Sequence, residues 1–202
     1  MTYTGGANSF IPQARIIMVL ALLLALCLIA VYGFTLEAVQ LIAILALLAY
    51  VSWNDLRTRT VPNRCIVAAV AIRLAYCAGI ALIGRLSLSE LGYYVASGLG
   101  VGVAMLVFAL VFEYVTGREG MGGGDVKLYA LAGLYLGVGP TAMVVFLSCV
   151  IALLMNAFGI VGDKVAEEEP SDSRQERLRQ TMPFAPAISL AFALVMLVSP
   201  II

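Results

Sequence analysis

Histidine is absent from this 202-residue chain, and charged residues make up only 12% of it. The absence of histidine excludes histidine-ligated metal sites and histidine-based catalytic triads. The formal net charge is zero, so the composition gives no general affinity for nucleic acid. The four cysteines form no C-x-x-C pair, which argues against a zinc knuckle and against a redox dithiol. We therefore expect neither a metal nor a cofactor.

Apolar residues are what the chain has in surplus. Hydrophobic residues make up 62% of the sequence, and the mean hydropathy is +1.03. A soluble domain is normally less than half apolar and about a quarter charged. The surplus apolar surface must face lipid, so the sequence predicts an all-α polytopic membrane protein that contacts the bilayer directly.

Seven apolar segments follow one another along the chain, at 16–34, 36–53, 65–83, 92–115, 126–138, 141–161 and 184–201. All but one have the roughly 17 to 20 residues that a membrane-spanning helix needs, and 126–138 is too short. The segment 16–34 has no signal-peptide cleavage site after it, so we expect it to remain as a first helix. The prediction is one extra transmembrane helix in residues 1–35 and a membrane core over 36–202.

The basic residues indicate how these helices are oriented. Ten of them lie on one side of the predicted topology, including those of the loops 54–64, 117–127 and 162–183, while Arg85 alone lies opposite. Lysine and arginine are enriched in cytoplasmic loops. We therefore expect the N-terminus and these three loops on the cytoplasmic side, and the C-terminus on the outer side.

Two aspartates lie on this predicted cytoplasmic side, each where an apolar helix meets a loop. Asp55 closes one apolar segment, and Pro62 obliges the chain to leave the helix soon afterwards. Asp125 follows three glycines, 122–124, whose backbone can adopt positive φ angles and approach a ligand closely. A carboxylate at membrane depth is costly and usually functional, so both residues are candidate catalytic groups.

A facing pair of carboxyls can hydrolyse a peptide bond without a metal or a nucleophilic side chain. Two such groups cannot both ionise easily, so one keeps a proton and serves as the acid while the other accepts a proton from water. We expect Asp125 to be the partner that is more often ionised, because the N-terminus of a helix favours negative charge. This chemistry is that of an aspartyl protease.

Three motifs together resemble the prepilin peptidases, which are membrane aspartyl proteases with a Gly-x-Gly-Asp signature. The motifs are Asp55-x6-Pro62-Asn63, the run from Gly120 to Leu128, and Met182-Pro183-Phe184-Ala185-Pro186. The resemblance implies a six-helix protease core in which Asp55 and Asp125 are the catalytic pair. It also implies an active-site loop and its supports, formed by Gly122, Gly123, Gly124, Lys127, Pro62, Asn63, Pro183 and Phe184.

The same resemblance implies the substrate, a prepilin or pseudopilin precursor of a type IV or Flp pilus or of a secretion system. Such a precursor has a short basic leader that ends in glycine and is followed by an apolar helix, and the cut falls after that glycine at the cytoplasmic membrane face. We expect Glu113 and Glu119 to receive the basic leader. The cysteine-rich insertion of the larger peptidases is missing, so we expect no N-methyltransferase activity.

Other interpretations stay open from the sequence alone. A presenilin-like protease shares the Gly-x-Gly-Asp motif, but its first aspartate usually follows tyrosine, whereas Asn54 precedes Asp55. A small membrane transporter would use Asp55, Arg73 and Asp125 along a pathway through the bilayer. An inactive scaffold of a secretion assembly would not need both aspartates. The oligomeric state is not readable from the sequence.

Small residues and one arginine within the apolar segments indicate how the helices pack. Two faces carry small residues at every fourth position, which lets helices approach closely. They are Ala96, Gly100 and Ala104 on one helix and Gly133 and Gly137 on another. Arg73 lies in the middle of an apolar segment and needs a partner inside the bundle, so we expect it to have a structural role.

Overall fold

The structure, a computed structural model, describes residues 35–117, 121–157 and 184–199, together with Val19, Leu22, Leu23 and Leu26. Over these residues the chain forms six α-helices and no strand, which confirms the all-α fold class. They are α1 Leu36–Thr58, α2 Asn63–Leu82, α3 Leu88–Thr116, α4 Gly123–Leu136, α5 Val138–Ala157 and α6 Ala185–Val198. The rest of the predicted first helix, Glu119, Pro183 and the charged loop 162–183 lie outside the described residues.

Four of the described helices, α1, α2, α3 and α5, are long and apolar enough to cross a membrane. The helices α4 and α6 have 14 residues each. At about 1.5 Å per residue, 14 residues extend about 21 Å, which is less than the roughly 30 Å of a hydrocarbon core. The chain is thus a multi-pass membrane protein, and the prediction that segment 126–138 is too short to cross is confirmed.

The helix ends follow from local sequence. Thr35 accepts a hydrogen bond from the backbone in the first turn of α1, and Arg59 ends that helix in the left-handed conformation. Ser87 and Glu90 form a reciprocal capping box at the start of α3. Gly137 alone separates α4 from α5, and its φ of 81° is one that glycine adopts without steric cost. These caps fix where each helix begins and ends.

The short helix α4 lies at the centre of the bundle. It packs against α2, α3, α5 and α6, while α1 packs against α2 and α6. Every residue of α4 from Leu128 to Leu136 except Ala130 is buried. A helix that ends within the depth of the membrane is stable only where protein or water covers its unpaired backbone groups. The central position of α4 therefore explains how a helix too short to cross the bilayer is accommodated.

Glycines allow α3 and α4 to approach closely. A Cβ on Gly133 would lie 2.8 Å from a backbone oxygen of α3, so the packing role predicted for Gly133 is confirmed. The same role at Gly100 stays a prediction, because a Cβ there would meet nothing within 4 Å among the residues that the structure describes. Gly98 and Gly102 of α3 face α4 instead, since a Cβ on either would lie 3.0 Å from a Cβ of that helix. Small residues recur on two faces of α3, and their spacing alone does not say which face is covered.

Arg73 is buried where α2 meets the end of α4. Its Nε donates to the carbonyl oxygen of Leu134 at 3.3 Å, and its Nη2 donates to that of Tyr135 at 3.1 Å. Its Nη1 lies 3.5 Å from Oε1 of Gln40, and its guanidinium lies 4.8 Å from the centre of the Tyr94 ring. The last carbonyls of a helix lack partners within the helix and favour a cation. Arg73 thus has the structural pairing expected from the sequence, with the end of α4.

Candidate active site

Asp55 lies in the last turn of α1 and is only 7% exposed. The helix continues to Thr58, so Asp55 belongs to the helix and does not end it as expected. Its Oδ2 accepts a hydrogen bond from the backbone N–H of Ala185 at 3.3 Å. Ala185 is the first residue of α6, and the first N–H groups of a helix have no acceptor within it. The start of α6 therefore holds the carboxylate in place.

Asp125 lies in the first turn of α4. This helix is not one of the four that are long enough to span the membrane. Burial, and after it the negative charge of Asp55, raises the pKa of Asp125 to about 7. A hydrogen bond with the backbone of Gly122 opposes this shift. The charge of Asp55 is thus the second cause of the raised pKa, after burial.

The direction of this shift contradicts the expectation that Asp125 is the ionised partner. A helix N-terminus favours a negative charge. Loss of water around a carboxyl favours the neutral form, and here burial is the largest influence on the pKa of Asp125. With a pKa of about 7, Asp125 keeps its proton in a large share of the molecules at neutral pH.

The glycine run makes one close contact and has no left-handed residue. Positive φ angles occur at other described glycines and not at 122–124, so the backbone freedom expected there is not used. Gly122 caps α4, and Gly123 and Gly124 form its first turn. A Cβ on Gly124 would lie 2.6 Å from Cγ2 of Val61, whereas one on Gly123 would meet no described residue within 4 Å. Gly124 is therefore where the loop after α1 packs against α4.

A side-chain hydrogen bond forms a second link between α4 and the chain that follows α1. Lys127 Nζ donates to Asn63 Oδ1 at 2.8 Å, which links α4 to the start of α2. Pro62 precedes Asn63 as the N-cap residue of α2, with a φ of −66° that the proline ring imposes. The structure thus joins Asn63 to Lys127, two residues after Asp125, and the contribution of Pro62, Asn63 and Lys127 to activity stays a prediction.

Asn54 fixes the loop after Asp55, although no role was assigned to it from the sequence. Its Nδ2 donates to the carbonyl oxygen of Thr60 at 2.7 Å and to Oγ1 of Thr58 at 2.9 Å. Arg59, between them, has a φ of 54° and donates its N–H to the carbonyl oxygen of Asp55 at 2.9 Å. A positive φ is uncommon outside glycine. The run of polar residues after Asp55 is the sequence signal that could have indicated this fixed turn.

The remaining predicted residues are less closely tied to the pair of aspartates. Phe184 is the N-cap residue of α6 and packs against the core. Glu113 is exposed near the end of α3, and Glu119 and Pro183 lie outside the described residues. Arg73 lies at the end of α4 opposite to Asp125. The described candidate residues near one end of the bundle are thus Asp55, Asp125, glycines 122–124, Pro62, Asn63, Lys127 and Phe184.

Comparison with known proteins gives a family for this arrangement. Residues 42–157, more than half of the chain, match the sequence model of the type IV leader peptidase family. The prepilin leader peptidase/N-methyltransferase of Bacillus subtilis (strain 168) is 30% identical over 158 residues, which cover 78% of this chain and 55% of that protein. The chain thus spans about half the length of this relative. No solved structure matches the chain.

Proposed function

Because the chain belongs to the type IV leader peptidase family, we propose that it is a membrane aspartyl endopeptidase that removes the leader of prepilin-like precursors. One observation carries the proposal: Asp55 in the last turn of α1 and Asp125 in the first turn of α4 lie at the same end of the bundle, where Gly124 packs against Val61 of the loop that follows Asp55. A pair of carboxyls that holds one proton supplies both the acid and the base for peptide hydrolysis. The name of the relative, a prepilin leader peptidase, supports the substrate class.

In the proposed mechanism, Asp55 is the base and Asp125 is the acid. Asp55, held by the N–H of Ala185, accepts a proton from a water molecule that attacks the carbonyl carbon of the leader's last residue. Asp125, with its pKa of about 7, carries the proton that the leaving nitrogen receives. The C–N bond breaks as the nitrogen receives this proton. The proton that Asp55 took from water then moves to Asp125, and the pair is ready for the next cycle.

We infer that the cut falls after a glycine, at the cytoplasmic face of the inner membrane. The arginines 57, 59 and 64 follow Asp55 at its end of the bundle, whereas Arg85 lies at the opposite end, beyond α2. This distribution supports a cytoplasmic active site and N-terminus, with the C-terminus outside. The acidic residues Glu113 and Glu119 are the candidates to receive the basic leader.

We propose peptidase activity without N-methylation. The relative is named as a methyltransferase as well, but the present sequence contains no C-x-x-C pair of the kind that the cysteine-rich insertion of the larger peptidases carries. A transporter is less well supported, because Arg73 is hydrogen-bonded to the carbonyls of Leu134 and Tyr135 at the far end of α4. Those bonds favour a structural role for the arginine over a place in an ion pathway.

Co-expression with a pilin precursor tests the proposed function. Leader removal is measured by gel mobility, and the cut bond and any added methyl group are identified by intact mass. We expect an unmethylated product cut after glycine with the wild type, and intact precursor with Asp55→Asn or Asp125→Asn at equal membrane levels. Cleavage that survives either substitution would exclude the aspartyl mechanism, and an intact precursor with the wild type would contradict the peptidase function.

A further inference from the structure

The residue that precedes each aspartate lies at one end of a continuous path of contacts. Asn54 precedes Asp55 near the end of α1. Gly124 precedes Asp125 in the first turn of α4. Between Asn54 and Gly124 lies the peptide group that joins residues 60 and 61 in the loop after α1. The path therefore connects the two elements that carry the candidate catalytic pair.

On the α1 side of this path, both N–H donors of the Asn54 amide are in use. Its Nδ2 donates to the carbonyl oxygen of Thr60 at 2.7 Å and to Oγ1 of Thr58 at 2.9 Å. Thr58 donates its own proton to the carbonyl oxygen of Asn54 at 2.9 Å. The hydroxyl of Thr60, 2.7 Å from that of Thr58, is therefore the donor between the two threonines. Each bond of this network thus has one direction, and the network needs an NH₂ group at position 54.

On the α4 side, the peptide group that Asn54 holds lies against Gly124. A peptide group is planar, so a hydrogen bond to the carbonyl oxygen of Thr60 also orients the backbone nitrogen of Val61. A Cβ on Gly124 would lie 3.8 Å from that nitrogen and 2.6 Å from Cγ2 of Val61. Because position 124 has no side chain, the peptide group held by Asn54 can approach the backbone of α4 next to Asp125.

The turn within this path is one that the chain does not adopt readily. Arg59 has a φ of 54°, and a left-handed residue other than glycine persists only where the surrounding contacts hold it. The Asn54 amide binds the chain on both sides of Arg59, at Thr58 and at Thr60. Removal of the amide therefore releases both bonds around the strained residue, and we expect the loop to move more freely relative to α4.

We propose that Asn54 is a positioning residue for the cleavage reaction: its amide holds the loop after α1 against Gly124 and thereby sets the separation of the two aspartates. The proposal rests on the proposed function, in which both carboxyls act on one water molecule and one peptide bond. A small displacement of reacting groups slows the chemical step even when the substrate binds as before. Asn54 acts through the loop, so its removal should change kcat and leave KM nearly unchanged.

Kinetics with a membrane-inserted pilin precursor test the positioning role. Asn54→Ala removes both amide donors and should lower kcat roughly ten- to hundredfold, while KM changes little. Asn54→Asp keeps the shape of the side chain but has no N–H donor when ionised, so it should recover none of the loss. Asn54→Gln has the same NH₂ group on a longer side chain and should recover part of it. The control is Asn156→Ala, which alters an exposed asparagine at the end of α5 and should behave as the wild type.

The coupling between positions 54 and 61 shows whether Asn54 acts through the loop. Val61→Ala removes the side chain that packs on Gly124, so it breaks the path at another point and should itself lower kcat. The addition of Asn54→Ala to Val61→Ala should then lower kcat much less than Asn54→Ala does alone. Losses that multiply in the double variant would overturn the proposal.

Hydrogen exchange without substrate measures the loop itself. Peptides that cover residues 59–63 should exchange several-fold faster in Asn54→Ala than in the wild type, with a similar melting temperature because the lost bonds lie near the surface. Unchanged exchange of these peptides would overturn the proposal. If Asn54→Ala does not fold, Asn54→Asp takes its place in each comparison.

The same measurements separate this proposal from the proposed function. Normal cleavage by Asn54→Ala would overturn the role of Asn54 and leave the peptidase function standing. A wild type that leaves the precursor intact would overturn the peptidase function, and the positioning role with it.

Discussion

At the scale of single residues, two carboxyls in different surroundings form the candidate catalytic pair. Asp55 is nearly buried and accepts an N–H from Ala185, whereas the pKa of Asp125 is raised to about 7 by burial and by the charge of Asp55. In the proposed mechanism, these different surroundings correspond to different parts of the reaction, Asp55 as the base and Asp125 as the acid.

The raised pKa of Asp125 predicts the alkaline limit of activity. The acid of the pair loses its proton as the pH rises through about 7, so kcat/KM should fall above that pH. The profile of kcat/KM from about pH 5 to about pH 9 measures this limit. A profile that stays flat through neutral pH would contradict the role of Asp125 as the acid.

Burial of Asp125 also predicts a pH-dependent effect on stability. The pKa is raised from the ordinary value of 3.8 to about 7 in the folded protein, so the stability that the neutral carboxyl provides is lost as the pH rises through about 7. Asp125→Asn keeps the group neutral. We expect the variant to melt at a higher temperature than the wild type near pH 8, with a difference that shrinks near pH 4.

The control for this measurement is Glu113→Gln, which neutralises an exposed carboxyl on α3. It should leave the melting temperature close to that of the wild type at both pH values. An Asp125→Asn variant that melts below the wild type near pH 8 would mean that the ionised carboxylate is stabilising, which would contradict a pKa raised by burial.

Sequence reasoning identified both aspartates but not their surroundings. A carboxylate beside a long apolar segment is visible in the sequence, and that was enough to select Asp55 and Asp125. The N–H of Ala185 was not predicted, because every residue except proline has such a donor and only the fold brings this one to Asp55, 130 residues away. The protonation preference of Asp125 was predicted wrongly because burial depends on neighbours that are distant in the sequence.

At the scale of elements, one contact joins the loop after α1, which follows Asp55, to the start of α4, which carries Asp125. Gly124 and Val61 form this contact. We expect Gly124→Ala to lower cleavage strongly, because its Cβ would lie 2.6 Å from Cγ2 of Val61 and push the loop away from α4. Activity of Gly124→Ala beside the wild type measures the effect.

Two further variants make this prediction specific. Gly123→Ala adds the same methyl group where no described residue lies within 4 Å, so it should retain activity. Val61→Ala removes the closest atom and should restore part of the activity when combined with Gly124→Ala. Equal losses from Gly123→Ala and Gly124→Ala would show that the glycines matter for another reason, such as helix propensity.

Arg73 stabilises the other end of α4. It is 1% exposed and donates to two carbonyls of the last turn, so Arg73→Met leaves those acceptors unpaired at membrane depth. We expect a loss of roughly 3 kcal/mol or more in the free energy of unfolding. Arg73→Lys should recover little of it, because lysine lacks the fork of donors. Thermal unfolding in detergent measures both variants. The control is Arg64→Met, since Arg64 is exposed. Equal stability of Arg73→Met and the wild type would contradict the capping role.

The elements were predictable from the sequence more reliably than their boundaries and contacts. Long apolar runs gave every helix that the structure describes. The helix α1 was predicted to end at 53 and continues to Thr58, because hydrogen bonding carries it past the apolar run. The helix α4 begins at Gly123, although glycine disfavours helices. Tertiary packing at the centre of the bundle outweighs that weak local preference.

At the scale of the whole molecule, the fold brings together residues that are far apart in the sequence. The end of α1 and the starts of α2, α4 and α6 meet at one end of the bundle. The sequence predicted the sidedness of the aspartates through the distribution of basic residues, but it contained no distance between helices. The central position of α4 could be recognised only from the structure.

The most direct test of the central claim is the single-turnover rate at which the protein in lipid vesicles cleaves a pilin precursor. We compare the wild type with Asp55→Asn, Asp125→Asn and the double variant at equal folded amounts. If the two carboxyls act as one unit, each single substitution should lower the rate by roughly 10³-fold or more, and the double variant should be no slower. A single variant that keeps near wild-type activity, or losses that multiply in the double variant, would contradict a shared catalytic pair.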